Sequence, residues 1–238
     1  MWDGYDAIAQ SEDASNYITK QSKSGRPFFL VISLAPPHDP YQTAPEKYRA
    51  LYATKDLKIN ENVPAQFRER VLKDLRGYYS HITALDDCVG KIWKAVKDAG
   101  IEKNSILVFT ADHGDMLGAH RSWNKQQPYE ESIRVPFLIH YPSVLGKEGK
   151  TSAVLLNTPD ILPTLLGFSN IVVPTWVEGK DLSGIISGKE KDNIEETYQL
   201  MTTIIGRDSR DREFISIKML REIQSIVPIC WVTRQLNF

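Results

Sequence analysis

Long apolar runs are missing from this 238-residue sequence. No window approaches the ~18 apolar residues a spanning helix needs, so no membrane span is expected. The opening stretch MWDGYDAIAQSEDASNYITK lacks the apolar core flanked by positive charge that marks a signal peptide, and compartment stays unread. An excess of one charge is missing too. The net charge is -1 and no Lys/Arg-rich block occurs, which removes nucleic acid from the expected partners. Cysteine is scarce: Cys88 and Cys230 stand in dissimilar contexts, with neither metal-knuckle nor disulfide-framework spacing. Internal repeats and low-complexity linkers are absent, so no sharp domain boundary can be drawn, and oligomeric state has no signal. What is present is the balance of a globular protein, 42% apolar and 25% charged, long enough for one domain or two.

Periodicity supplies the elements. Ser11 to Lys23 reads as a short polar helix, SGRP breaks it, and Phe28 to Leu34 in PFFLVISLA reads as a strand apolar on both faces. Such a strand is expected in a parallel sheet covered by helices on each side. Between Leu72 and Val96, apolar residues recur every three or four positions (Leu72, Leu75, Tyr79, Ile82, Leu85, Val89, Ile92, Val96), which predicts one long amphipathic helix closed by Gly100. Ile106 to Ala111 and Val135 to Tyr141 are two further strands, and a short helix starts near Asp160 in DILPTLLG. Alternation of this kind predicts an α/β sandwich of a mostly parallel sheet between helices. Beyond about Glu195 helical and strand periods mix, which separates residues 1–194 as the organised domain from 195–238 as a segment of unread structure.

Chemistry gathers where the strands end, the place where loops converge in open α/β sheets. The first expected strand delivers His38 in APPHDPY, between two prolines that restrain its backbone. The second delivers Asp112 and His113 in TADHGD, a carboxylate oxygen and an imidazole nitrogen side by side, followed by Gly114 for a close turn. Two such donors make half a metal site; the bland reading is a turn cap and a satisfied histidine. Downstream, LGAHRSWNKQQPYEESIRVP concentrates His120, Arg121, Lys125, Glu130, Glu131 and Arg134 in a loop-like stretch. Beside a metal this is an oxyanion pocket, with Lys125 on an anionic oxygen and His120 on a leaving group; without one it is a solvated loop. His81 inside the long helix and His140 inside the third strand read as structural or surface residues, and Cys88 as a small core residue.

Taken in order, PFFLVISLAPPHDPY, RGYYSHITALDDCVGKIWKAVKDAG, ILVFTADHGDMLGAH, NKQQPYEESIRVPFLIHYP and TPDILPTLLG resemble the second half of a type I sulfatase catalytic domain, over about residues 2–188. TADHG is common to the wider alkaline-phosphatase superfamily, whereas NK(x)3YEES(x)RVP is sulfatase-like. The resemblance implies an alkaline-phosphatase-like α/β fold, N-terminally truncated, and hydrolysis of a sulfate ester, a sulfated small molecule or glycan. It implies Asp112 and His113 as ligands of a divalent metal, usually calcium. Lys125 and His38 become sulfate contacts, and His120 a residue near the substrate. The family's nucleophile is a formylglycine made from a C/S-x-P/A-S-R motif, and two further aspartate ligands precede the matched region. Neither feature occurs in these residues, so the chain by itself is expected to be inactive. Cys230-Trp231-Val232-Thr233-Arg234 has Val232 where the motif needs proline or alanine. Two alternatives remain open: a phosphodiesterase or phosphonate hydrolase of the same superfamily, and a non-catalytic remnant. Intact relatives are commonly periplasmic, secreted or lysosomal.

Overall fold

The computed structural model describes residues 4–191 and three short strands at 199–201, 215–217 and 229–230. The chain forms two compact units, residues 1–105 with 117–123, and residues 106–116 with 124–238.

The first unit is built on two helices. The polar helix is longer at its N-terminus than its periodicity suggested: α1 spans Asp6–Ser22 and buries Ala7, Ser11, Ala14 and Ile18, the spacing of one helical face. After α2 (Glu46–Tyr52) comes α3, Arg68–Asp98, the long helix expected. Gly100 ends it as foreseen, with φ of +70°. The Gly100 N–H donates to the Lys97 carbonyl (2.9 Å) and the Ile101 N–H to the Val96 carbonyl (3.3 Å), the paired bonds of a Schellman cap. The buried face of α3 is rotated slightly from the expected stripe. Ile82 is 40% exposed, whereas His81 and Cys88 are each 1% exposed and lie in the core.

The expected strand Phe28 to Leu34 departs from the reading. Among the described residues its backbone joins no ladder, and the segment is extended but unassigned. One face carries Phe28, Leu30 and Ile32 onto the Ala14, Ile18, Ile92 and Val96 cluster, with Leu34 against Ala7, Leu85 and Cys88. The other face leaves Phe29 76% and Val31 72% exposed. Successive residues of an extended segment reach opposite faces, and residues two apart share one. The second face is therefore covered only if something packs on it.

The second unit holds the sheet, in the order β1-β2-β6-β3, from β1 (Leu107–Thr110), β2 (Phe137–His140), β3 (Thr151–Ser152) and β6 (Ile229–Cys230). β1 and β2 run antiparallel in the register Leu107 to His140 through Thr110 to Phe137. β2 is parallel to β6, and β3 is antiparallel to it. The α/β class holds, but the described ladder is not mostly parallel: two of its three pairings are antiparallel, and the segment expected to add a further strand pairs with none of the described ones. A second, two-stranded sheet pairs β4 (Gln199–Met201) with β5 (Ile215–Ile217). Apart from these strands, the segment 195–238 lies outside the described residues, as do the side chains of the Cys230-to-Arg234 string. Phe137 and Ile139, 2% and 1% exposed, anchor a core with Val154, Phe168, Leu182 and Ile186. Each such side chain contributes roughly 1.5–3 kcal/mol by burial.

The short helices of this unit are α4 (Glu130–Ile133), α5 (Pro142–Leu145), α6 (Thr158–Phe168) and α7 (Ser183–Ile186). α6 opens on a capping box. Asn157 caps the start, and the Asp160 carboxylate accepts from the Asn157 N–H at 2.9 Å. The other Asp160 oxygen accepts the Lys180 N–H at 2.8 Å, and Thr164 Oγ1 accepts the Leu182 N–H at 3.0 Å, tying the segment before α7 to the helix.

Candidate functional site

β1 ends at Thr110, and the chain turns at once through Ala111, Asp112, His113 and Gly114. Asp112 Oδ1 accepts the His113 backbone N–H at 3.1 Å, which holds the carboxylate over the turn. His113 Nδ1 lies 2.7 Å from the Gly114 carbonyl oxygen. A carbonyl can only accept, so Nδ1 carries the proton and the Nε2 lone pair is the donor a metal would meet. That Nε2 is 3.5 Å from Asp112 Oδ2. Two donors so spaced can both reach one cation at bond lengths of about 2.0–2.5 Å. The Asp112 side chain is 88% exposed and that of His113 30%. Among the described residues no group of three or more His, Cys, Asp or Glu side chains could surround an ion. The turn thus fits a divalent metal as two of its ligands.

Gly114 is required here for closeness rather than for backbone freedom. A Cβ on it would stand 2.1 Å from the Glu131 carbonyl oxygen, and its N–H donates to the Ser132 carbonyl at 2.8 Å. α4 is therefore pressed directly against the Asp112–His113 turn.

The stretch from Leu117 to Gln126 is bent repeatedly into the left-handed region: Leu117, His120, Arg121, Asn124 and Gln126 all have positive φ. Each costs of order 1–3 kcal/mol for a non-glycine residue, and such clusters persist where the surroundings over-determine the backbone. In the first unit these surroundings are visible. Trp123 meets Phe67 edge-to-face at 5.1 Å with the Arg70 guanidinium 4.2 Å over its ring, and a Cβ on Gly118 would stand 2.4 Å from Val71 Cγ2. Asn62 lies at His120: its carbonyl accepts the His120 N–H at 3.3 Å, and its side-chain Nδ2 is 3.0 Å from His120 Nε2. Nothing in the sequence signals this pairing, since the residues are 58 apart and a lone asparagine has no pattern.

The remaining candidates fall as follows. Lys125 is half-buried in the second unit, flanked by Asn124 and Gln126, with the Asn124 carbonyl accepting the Met116 N–H at 2.8 Å. Glu130 and Arg134 form an i,i+4 ion pair at 2.9 Å. The charge density of this loop is therefore partly internal. His38, in the first unit, is about half exposed, with Nδ1 2.9 Å from Asp39 Oδ1 and 3.0 Å from the Asp39 carbonyl. Asp112 and His113 are brought into contact and share a unit with Lys125, while His38 and His120 belong to the other unit. His81 and Cys88 are core residues.

The sulfatase family description matches residues 3–171. The chain belongs to the sulfatase family. It is 45% identical over 193 residues to the ulvan-active sulfatase of Formosa agariphila, covering 80% of this chain and 38% of that one. The solved structure of yidJ from Bacteroides fragilis superposes with a TM-score of 0.76 at 31% identity, covering 83% of this chain and 44% of that one. A phosphonate monoester hydrolase of Agrobacterium radiobacter superposes at 0.71 with 22% identity, which shows the fold alone, the alkaline-phosphatase-like α/β architecture. This sulfatase chain spans roughly two fifths of the length of such relatives. Membership of the sulfatase family implies a divalent metal as cofactor.

Proposed function

We propose that residues 1–194 contribute part of a sulfatase catalytic domain acting on a sulfated carbohydrate. The observation that carries this reading is the Asp112–His113 turn: two metal donors 3.5 Å apart, with His113 held by the Gly114 carbonyl in the tautomer that offers Nε2, inside the family match. Asp112 Oδ2 and His113 Nε2 are the ligands this chain supplies, and calcium is the metal proposed. When bound, the ion withdraws charge from a sulfate oxygen. The family resemblance supports Lys125 as a point charge on a sulfate oxygen and His38 as a hydrogen-bond partner of the sulfate or the ester oxygen. As the S–O bond to the alcohol breaks, the electron pair goes to the leaving oxygen; the His120 N–H hydrogen-bonds that oxygen, and the proton that completes the alcohol comes from water. The attacking group, a formylglycine hydrate in the family, has no C/S-x-P/A-S-R motif among these 238 residues. A glycan substrate is supported by the similarity to a sulfatase active on ulvan.

The test is calorimetry with calcium on the chain and on Asp112→Asn, followed by a sulfated sugar, its unsulfated counterpart and its phosphate ester. The expected result is calcium binding that Asp112→Asn abolishes and a calcium-dependent preference for the sulfated sugar. Calcium binding untouched by Asp112→Asn, or a preference for the phosphate ester, would overturn the reading.

A further inference from the structure

His120 sits on a backbone it cannot hold by itself. Its φ and ψ are +50° and +29°, and its side chain is exposed, a setting in which an imidazole ordinarily samples several rotamers. The backbone around it is fixed by the tight fit of Gly118 on Val71, by Trp123 between Phe67 and Arg70, and by the Ser122 N–H donating to the Ala119 carbonyl at 2.9 Å. None of these contacts orients the ring. Asn62 does, from the loop before α3. It accepts the His120 N–H with its own carbonyl and brings its amide nitrogen within 3.0 Å of His120 Nε2.

We propose that Asn62 is a positioning residue for His120, one that selects the ring tautomer as well as the ring direction. An amide nitrogen can only donate, so the bond to Nε2 requires a lone pair there, and the single proton of the neutral imidazole sits on Nδ1. A free histidine side chain prefers the opposite tautomer, so the bond works against an intrinsic bias. The consequence is chemical. A histidine meant to hydrogen-bond a leaving oxygen must present N–H, not a lone pair, and Asn62 decides that Nδ1 is the nitrogen presenting it. This consequence rests on the reading of His120 as the leaving-group donor; the tautomer itself does not.

The experiment separates the two. Long-range proton–nitrogen correlation spectra of the imidazole rings, recorded on the full chain above pH 8 with His120→Gln identifying the His120 signals, distinguish the tautomers directly. The wild type is expected to show His120 chiefly protonated at Nδ1. Asn62→Ala keeps the backbone carbonyl and removes only the amide, so the Nδ1–H to Nε2–H ratio is expected to fall by about threefold or more, the scale of one modest hydrogen bond. Asn62→Asp puts an acceptor where the donor was and is expected to drive the proton to Nε2. A ring protonated chiefly at Nε2 in the wild type, or a ratio unmoved in both variants, would overturn the proposal. Since Asn62 is exposed, urea midpoints of the variants should match the wild type, and a tautomer change at unchanged midpoint excludes a merely structural role. Since no turnover is involved, a confirmed tautomer alongside a catalytically silent His120 would refute the leaving-group role and leave the clamp standing.

Discussion

Single residues in this chain are decided by distances that composition cannot express. Gly77 lies inside α3, where glycine costs about 1 kcal/mol relative to alanine, and propensity alone would recommend Gly77→Ala as stabilising. A Cβ there would stand 2.2 Å from the Tyr41 carbonyl oxygen, which is backbone and has no rotamer to yield. The expected outcome is a loss of about 1–3 kcal/mol, read as a lower urea midpoint at unchanged slope. A higher midpoint would show that the Tyr41 segment moves away at little cost. Lys125 is the opposite case, a half-buried loop residue whose proposed contribution is charge rather than packing. In a polypeptide joining these residues to a C/S-x-P/A-S-R segment, Lys125→Ala is expected to lower kcat for a sulfate ester by roughly 10²-fold or more with little change in melting temperature, by analogy with the loss of one oxyanion donor. Equal loss of stability and activity would remove Lys125 from the sulfate.

At the scale of elements, α3 and the extended segment before it make separate predictions. His81, 1% exposed on α3, has Nδ1 2.7 Å from the Tyr5 hydroxyl and Nε2 3.4 Å from Thr43 Oγ1. Burial pushes the Tyr5 phenol up, so it stays protonated and donates. Burial also lowers the His81 pKa below its ordinary 6.5, against a smaller opposing effect of the Pro40 carbonyl. The sign follows. Above pH 6.5 neither folded nor unfolded state protonates His81, and its contribution is fully present; as the pH falls the unfolded chain takes up the proton first, and stability drains away until the folded pKa is passed. The urea midpoint is therefore expected to fall from about pH 7 to about pH 5 more steeply in the wild type than in His81→Gln, and parallel curves would exclude His81 as the cause. The Phe28 to Leu34 segment predicts a different behaviour. With Phe29 and Val31 largely exposed on an extended backbone, it has the features of an aggregation-prone edge. Phe29→Ser with Val31→Thr is expected to reduce light scattering on concentration without lowering the urea midpoint. A marked loss of stability would mean that those side chains are covered.

For the whole molecule, the Asp112–His113 pair proposed as metal donors would set the scale of metal affinity. Calcium usually takes six to eight oxygen ligands, and with water filling most positions the dissociation constant of this chain is expected to be weaker than about micromolar. Tighter binding would reveal ligands beyond the pair. With no C/S-x-P/A-S-R motif in its sequence, the purified chain is expected to release no nitrophenol from nitrophenyl sulfate above background. Metal-dependent turnover would require a nucleophile of another kind.

The sequence by itself was enough for whatever repeats locally. The helix over Leu72 to Val96, its stop at Gly100, the strands carrying Val108 and Ile139, and the family strings around Asp112, His113 and Lys125 were all legible, because periodicity, caps and motifs are properties of neighbours along the chain. It was insufficient wherever the deciding partner is distant. Phe28 to Leu34 reads as a strand apolar on both faces, yet a strand exists only when another backbone accepts its hydrogen bonds, and no spacing of Phe and Val states whether one does. His81 looked like any histidine on a helix until Tyr5 and Thr43 closed over it from 76 and 38 residues away. Asn62 had no signal at all. Tertiary structure alone brought it to His120, because directional bonds between residues far apart in sequence depend on how the loops are folded back, and local pattern carries no information about that.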